Sequence, residues 1–574
     1  MIERLVQFAL TQRILVVVSA MAIAIGGIWA FGRLPIDAFP DISVPQVQVI
    51  VKAPGLSPVE VEQRITRPIE IEMQGIARKE MLRSLTKYAL SVVTVDFEEG
   101  TDIYWARQQV TERLNQVWGD MPDGTEGGLA PITTPLGEAF MFTVEGDGYT
   151  NQELRTVLDW TIRPRLMSVD GVAEVNALGG LVRSFEVQLQ PPRLQAFGLS
   201  VADVSEAIQQ SNRNAGGDRI VRNDEVLLVR TIGQIESIED LANIPIRTDT
   251  ANPEAGGVPI LVSDVAEVRI SSLTRFGGVS KDGKGEHVQG LVLTRLGANS
   301  LITVSKVKEV LASVASALPP GVRVIPFYDR TDLVKRAVSM VRNALGMACA
   351  LVVLVLLMFM GNLRGAVTVA LILPMTVLGT FLAMHALGLT ANLMSLGGLV
   401  IAIGILVDPA VVVVENIQSQ FSRPIQGASR LHLIYRAVLE VATPVVSGTA
   451  IIIIVFLPIL SLSGLEGRMF APLAQTIVIA LIVAVTFALV LIPVLSSLLL
   501  KSGGDDENAL VRRLKKIHAP FVNWALRHRV LAFVLPLVLL LPTAFLFSLI
   551  GGEFIPTLKE GTLVVQTSKL PTVS

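Results

Sequence analysis

The sequence predicts a multi-pass α-helical membrane protein with a large α+β region outside the bilayer, and three observations carry that prediction. The 574 residues are 51% hydrophobic and only 17% charged, with a mean hydropathy of +0.56. That balance is too apolar for a soluble protein and too charged for a wholly embedded one. Seven apolar runs are long enough to cross a hydrocarbon core about 30 Å thick; they lie near 14–32, 337–360, 365–387, 391–414, 438–462, 472–499 and 530–550. A long polar block, 34–335, separates the first run from the second, and the other connections are short.

The first run is too long for the core of a cleavable signal peptide, and no small-x-small site follows it, so it reads as a retained span. Basic residues then set the orientation. Arg4 and Arg13 precede span one, Arg364 lies between spans two and three, and Arg423, Arg430 and Arg436 lie between four and five. Lys501, Arg512, Arg513, Lys515, Lys516, Arg527 and Arg529 lie between six and seven. These loops all fall on one side, which is thereby the cytoplasm, and the polar block faces the other way. Residues 501–529 form a cytoplasmic basic segment, within which Ala509–Arg527 is amphipathic and reads as lying along the membrane surface.

Within the polar block, strands alternate with helices. A strand at 44–53 leads to a helix opened by Ser57-Pro58, with Glu60 and Glu62 in its first turn. Strands near 80–87 and 90–98 and a helix at 102–118 complete a first round. A second round reads as a strand at 138–145, a helix at 151–168 and strands at 172–178 and 183–189. After an interruption come a strand near 286–295, a helix at 300–318 and a strand at 322–327. This order fits two ferredoxin-like β-α-β-β-α-β units with an inserted subdomain at about 190–270.

The chain also repeats itself weakly. Arg13-Ile14-Leu15 opens a span that exits through Leu34-Pro35, and Arg529-Val530-Leu531 opens another that exits through Gly552-Glu553-Phe554-Ile555-Pro556. One common offset links Arg13 to Arg529, Leu15 to Leu531 and Pro40 to Pro556. Span seven (530–550) therefore reads as span one of a second copy, and 551–574 as the start of a second, truncated extramembrane loop.

The chemistry-bearing residues sit in the fourth span. Asp408 and Glu415 interrupt Leu399-Val-Ile-Ala-Ile-Gly-Ile-Leu-Val-Asp408-Pro-Ala-Val-Val-Val-Val-Glu415. A carboxylate near the bilayer centre costs about 2.5–3.5 kcal/mol on insertion scales, so function rather than folding retains it. Seven residues bring the two acids to within about 20° of the same direction on a helix, about 10 Å apart. That stripe suits a proton or cation relay. Pro409 lacks the amide that would bond the carbonyl of Ile405, which predicts a kink beside Asp408.

Other features point away from alternative chemistry. The net charge of −2 gives no footprint for nucleic acid. Cys349 is the single cysteine and the five histidines are scattered, so neither a disulfide framework nor a thiolate metal site is encoded. No nucleophile motif, phosphate loop or metal cluster marks an enzyme. Met73, Met81, Met121, Met141 and Met167 follow no ligand spacing and read as core. Asp96, Glu98, Glu99 and Asp102 read as a solvated turn opening a helix. Gly26-Gly27 reads as a site of close helix packing.

Six stretches carry a resemblance over essentially the full chain: Leu34-Pro-Ile-Asp-Ala-Phe-Pro-Asp41, Gly100-Thr-Asp-Ile-Tyr-Trp-Ala-Arg107, Asn392-Leu-Met-Ser-Leu-Gly-Gly398, the Asp408 segment, Glu466-Gly-Arg468 and Gly551-Gly-Glu-Phe-Ile-Pro556. Together they resemble the resistance-nodulation-division (RND) efflux permeases, most closely the heavy-metal-efflux branch. The resemblance implies twelve spans in two six-span halves with large periplasmic porter regions, of which this chain holds the first half plus the start of the second. It implies a homotrimer in the inner membrane of a Gram-negative bacterium, docked to a periplasmic adaptor protein and an outer-membrane channel. It also implies proton antiport powered by the proton-motive force, with no bound cofactor, and places the relay acid on Asp408, with Glu415 on the same face. The implied cargo is a heavy-metal cation, with organic compounds as the alternative. A further alternative is a non-transporting half completed by a second chain. Metal ligands are left unassigned: Ala402 stands where some zinc and cobalt pumps carry an acid, and Leu406 and Val413 stand where copper and silver pumps carry methionines.

Overall fold

A computed structural model describes residues 2–35, 37, 40–222, 225–231, 233–249, 258–275, 277–360, 363–422, 429–500, 509–551 and 563–567. Several sequence readings lie outside these residues: the Ile36, Ala38 and Phe39 positions of the first exit motif, Arg423, Lys501, the 552–556 motif with its repeat partner Pro556, and most of the truncated loop. The chain divides into two compact units, Met1–Ala139 with Thr294–Ser305 and Asp329–Thr567, and Phe140–Leu293 with Lys306–Tyr328 and Ser568–Ser574.

Among the described residues, the first unit holds seven helical segments long and apolar enough to cross a membrane: Arg13–Arg33, Arg330–Phe359, Leu363–Ala386, Leu393–Ser422, Arg430–Leu460, Gly464–Leu499 and Arg529–Leu549. Several extend beyond their apolar runs, since hydropathy marks the part suited to lipid while the helix continues in polar turns. Their core gathers Leu373, Leu399, Ile403, Ala410, Val414, Ile434, Ala480, Leu481 and Ile492, all nearly or fully buried. The apolar runs give no sign of a short amphipathic helix, Ile2–Thr11, which buries Val6, Ala9 and Leu10 against the fifth and sixth spans. Helix Ala509–Arg527 is basic on one side and carries exposed Leu514, Ile517, Phe521 and Trp524 on the other, with no acidic residue.

The same unit contains the first β-α-β-β-α-β subdomain. Strands β1 (Gln46–Lys52), β2 (Lys79–Lys87), β3 (Leu90–Phe97) and β4 (Glu126–Leu129) form an antiparallel sheet in the order β2-β3-β1-β4, which is ferredoxin-like. Period-two alternation in β1 buries Val47, Val49 and Val51. Ile65, Ile69, Met73, Ala106 and Val110 cover them from the two helical segments. Ser57 opens the first helix through a capping box with Glu60, as its sequence suggests.

The second unit repeats the plan with an interruption. Strands β5 (Thr133–Gly146) and β6 (Val172–Leu178) precede an insertion containing β7 (Arg183–Leu189), β8 (Ala215–Arg222), β9 (Glu225–Thr231), β10 (Pro245–Asp249), β11 (Val258–Leu261) and β12 (Ala266–Ser272). After it come β13 (Val288–Arg295) and β14 (Val322–Asp329), which close a sheet in the order β14-β5-β13-β6. Relative to this unit's own strands the order is again ferredoxin-like. One sequence reading is corrected here. Strand 183–189 does not belong to the four-stranded sheet; it pairs antiparallel with β12 from Leu189↔Ala266 to Arg183↔Ser272, so the insertion spans 183–272 rather than about 190–270. A strand's alternation reports which face is buried and carries no information on its partner. The methionine reading also divides. Met73 and Met141 are core, whereas Met81 and Met167 are exposed.

A half-buried ion pair supports β5. Lys281 Nζ donates to Glu145 Oε1 at 2.9 Å and to Thr143 Oγ1 at 3.0 Å, and the Thr143 hydroxyl donates to Glu145 at 2.7 Å. The hydroxyl first, and then the ammonium, hold the Glu145 carboxyl below the usual glutamate range. A depressed carboxyl contributes stability above its unfolded-state pKa and loses it as pH falls through the folded value. Lys281→Met should therefore speed hydrogen exchange in β5 about fivefold at about pH 7, roughly 1 kcal/mol, with the gap to wild type narrowing below about pH 4.3. An undiminished gap at about pH 3.5 would sink this account.

Candidate functional site

The fourth span, read from the sequence as one helix kinked beside Asp408, is interrupted there into two helical halves. Leu393–Leu406 ends at a turn on Val407, and Asp408–Ser422 restarts at the acid itself. Pro409 explains the break: it has no amide for the carbonyl of Ile405, and its ring crowds the preceding turn. The next regular bond is from Val411 N to Val407 O at 2.9 Å. Asp408 thus occupies the first position of the second half-helix.

Burial sorts this span into two faces. Ala402, Ile403, Leu406, Ala410, Val413, Val414 and Ile417 are fully or almost fully buried against the second, third, fifth and sixth spans. Ile401, Gly404, Asp408, Val412, Glu415 and Ser419 are exposed, at spacings of three or four residues. Asp408 and Glu415 therefore share one stripe despite the break, and it faces away from the rest of this chain.

Both ends of the span are fixed. At the N-terminal end Asn392 and Ser395, essentially buried, exchange capping bonds of 2.9 Å, which gives the Asn392–Gly398 motif its physical reason. Ala391 N donates to Pro35 O at 2.9 Å, and Asp37 N donates back to Ala391 O at 3.1 Å. Asp37 in turn accepts from Arg330 at 2.9 Å and from the Ser300 hydroxyl at 3.2 Å. Arg330 is almost wholly buried. Toward the C-terminal end of the span, Asn416 Nδ2 donates to Ala437 O at 2.7 Å and to Glu440 Oε2 at 3.2 Å, and Gln420 Nε2 reaches Glu440 at 3.1 Å.

Glu440, Asp37 and Arg330 escape sequence reasoning as site residues. Glu440 sits at the first turn of the fifth apolar run, next to the basic 430–436 segment, where an acid reads as part of the polar boundary. Arg330 and Asp37 are separated by 293 positions, so no local spacing reveals the pair. The acids at 96–102 also acquire definite partners: Asp96 pairs with Arg83 at 3.2 Å, Asp102 caps its helix by accepting from Trp105 N at 2.8 Å, and Glu99 pairs with Arg468 at 3.1 Å. Among the described residues, no group of three or more His, Cys, Asp or Glu is arranged to hold a metal ion.

Comparison with known proteins adds the context for this geometry. The model of the AcrB/AcrD/AcrF family matches residues 5–574. Cation efflux system protein CzcA of Alcaligenes sp. (strain CT14) is 38% identical over 100% of this chain and 55% of its own length. Protein HelA of Legionella pneumophila is 39% identical with the same coverage. Cation efflux system protein CusA of Escherichia coli (strain K12) is 34% identical over 100% of this chain and 56% of its own. The crystal structure of a heavy metal efflux pump superposes with a TM-score of 0.77 at 34% identity, covering 86% of this chain and 48% of that one. The chain spans about half the length of the curated relatives it matches.

Proposed function

The chain belongs to the AcrB/AcrD/AcrF family, as a member of the heavy-metal-efflux branch of the RND permeases, and from that premise we propose that it is part of a proton-coupled pump exporting heavy-metal cations. The observation that carries the reading is the uncovered stripe of the broken fourth span. Two carboxylates stand there within an otherwise apolar helix, at a point where the backbone is already interrupted. A proton arriving at Asp408 removes a charge that lipid and apolar neighbours disfavour, and the two half-helices can respond independently about Val407. The proton-motive force drives the cycle and no bound cofactor takes part.

In the intact protein, further spans cover the Asp408 stripe, the two ferredoxin-like subdomains are periplasmic porter domains, and residues 183–272 form a docking region. The assembly is an inner-membrane homotrimer with a periplasmic adaptor protein and an outer-membrane channel. The cargo is a divalent transition-metal cation. Residues 397–419, the stretch around Asp408 and Glu415, hold no Cys, Met or His, so that stretch offers none of the soft ligands that Cu(I) prefers. Names among the relatives agree in kind, including a cobalt-zinc-cadmium resistance protein of Cupriavidus metallidurans at 38% identity.

The experiment is a susceptibility panel. A strain deleted for the gene, complemented with the full-length reading frame, should tolerate about tenfold more zinc, cobalt or cadmium, the expected scale for removing a sustained efflux flux. Tolerance to silver and to organic antibiotics should not change. Protection against organic compounds alone would replace the metal reading with drug efflux.

A further inference from the structure

The Glu466-Gly-Arg468 motif is not explained by proton chemistry, yet its arginine occupies an unusual position. Arg468 lies in the first turns of the Gly464–Leu499 helix, with its side chain only 15% exposed. Its Nε donates to Glu99 at 3.1 Å and its Nη1 to the backbone carbonyl of Ser43. Ser43 lies just before β1, and Glu99 lies just after β3. Those strands are neighbours in register, Gln46 opposite Asp96, and Phe97 N donates to Pro45 O at 2.8 Å. One guanidinium therefore holds the chain entering β1 and leaving β3, at a single corner of the first ferredoxin-like sheet. The planar fork of arginine permits two directed bonds at once, which a lysine cannot reproduce.

The other end of the path is the fourth span. A Cβ added to Gly398 would lie 2.8 Å from the carbonyl oxygen of Leu473 and 3.3 Å from its Cα, so the two backbones touch there. Leu396, Leu399 and Ile403 of the first half-helix are buried in the same core as Ile477, Ala480 and Leu481. From Gly398 to Asp408 is about 15 Å along the helix, and from Leu473 back to Arg468 about 7.5 Å. Gly467 fixes the arginine's approach, because its own Cβ would meet the Leu462 carbonyl at 2.1 Å. Closely packed helices shift as bodies rather than deform.

We propose that Arg468 is a positioning residue that conveys movement of the Leu393–Leu406 half-helix, through the Gly398–Leu473 contact, to the β1/β3 corner of the first extramembrane subdomain. The inference rests on Asp408 being where the proton acts.

The test needs no substrate. Four forms of the full-length protein in lipid nanodiscs are compared by hydrogen exchange: wild type, Asp408→Asn, Arg468→Ala and the double variant. With Arg468 present, Asp408→Asn should change exchange in residues 43–52 and 98–106 about fivefold; with Arg468→Ala the change should fall below about twofold. Residues 294–305, tied separately through Ser300 and Asp37, should keep their response in both backgrounds, which separates a lost connection from general unfolding. Arg468→Lys should give an intermediate change. Should Arg468→Ala not fold, Glu99→Gln at the exposed partner should reduce the response at 98–106 while 294–305 is unaffected. An equal response with and without Arg468, or no response in its presence, overturns the proposal. The pump reading fails on a different measurement, when Asp408→Asn with Arg468 intact leaves proton-driven metal export unchanged.

Discussion

Asp408→Asn in the full-length protein should reduce proton-driven metal export about a hundredfold or more while membrane insertion and assembly stay at wild-type levels. The expectation follows from comparing magnitudes. A charge on this carboxylate is disfavoured by about 2.5–3.5 kcal/mol at the bilayer centre, which corresponds to roughly a hundredfold shift in the ratio of two conformers. Asparagine has nearly the same shape, keeps the helix start and never ionises, so the switch is held in its neutral state. Glu415→Gln should be milder, within about tenfold, because that acid lies two turns nearer the polar end where Asn416 and Gln420 already reach Glu440. The measurement is metal uptake into everted vesicles under an imposed pH gradient. Export by Asp408→Asn within about twofold of wild type would remove the carboxylate from the mechanism.

Much of this molecule is legible in its sequence, for identifiable physical reasons. Lipid demands long apolar runs, so all seven spans announce themselves. Half-buried strands must alternate, so β1 and β3 are placed to within a residue or two. Pro409 signals a discontinuity because a missing amide has consequences wherever it falls. Pairing between distant segments leaves no such mark. Nothing near Arg183 says that it will lie opposite Ser272 rather than join β6, and nothing near Arg468 points to Glu99, 369 positions away. The split of the fourth span at Val407 is visible only in part: proline predicts a kink, but not that the helix stops and restarts at Asp408. Motifs such as Asn392–Gly398 stand out as patterns, and their reasons, a buried capping box and a backbone contact at Gly398, are three-dimensional.

The paired glycines of the first span separate packing from composition. A Cβ at Gly27 would sit 2.3 Å from the carbonyl oxygen of Leu378 and 2.7 Å from its Cβ, whereas one at Gly26 would meet only the methyl groups of Leu382 at 3.4 Å. The first contact is with backbone and cannot be relieved by a rotamer change; the second is ordinary van der Waals contact. Small residues matter in membranes because apolar side chains gain little by leaving lipid for protein, and close backbone approach supplies the attraction. Gly27→Val should therefore separate the Arg13–Arg33 and Ile372–Ala386 helices, destabilise the membrane core by about 3 kcal/mol and sharply reduce the level of folded protein. Gly26→Val should be tolerated within about 1 kcal/mol. Both substitutions add the same three carbons, raise the hydropathy of the span equally and introduce the same β-branch one residue apart, so differences in insertion or helix propensity cancel. Thermal unfolding of the full-length protein in detergent, monitored by exposure of Cys349, reads the comparison directly. Equal stability of the two variants would mean that the first and third spans do not meet at Gly27.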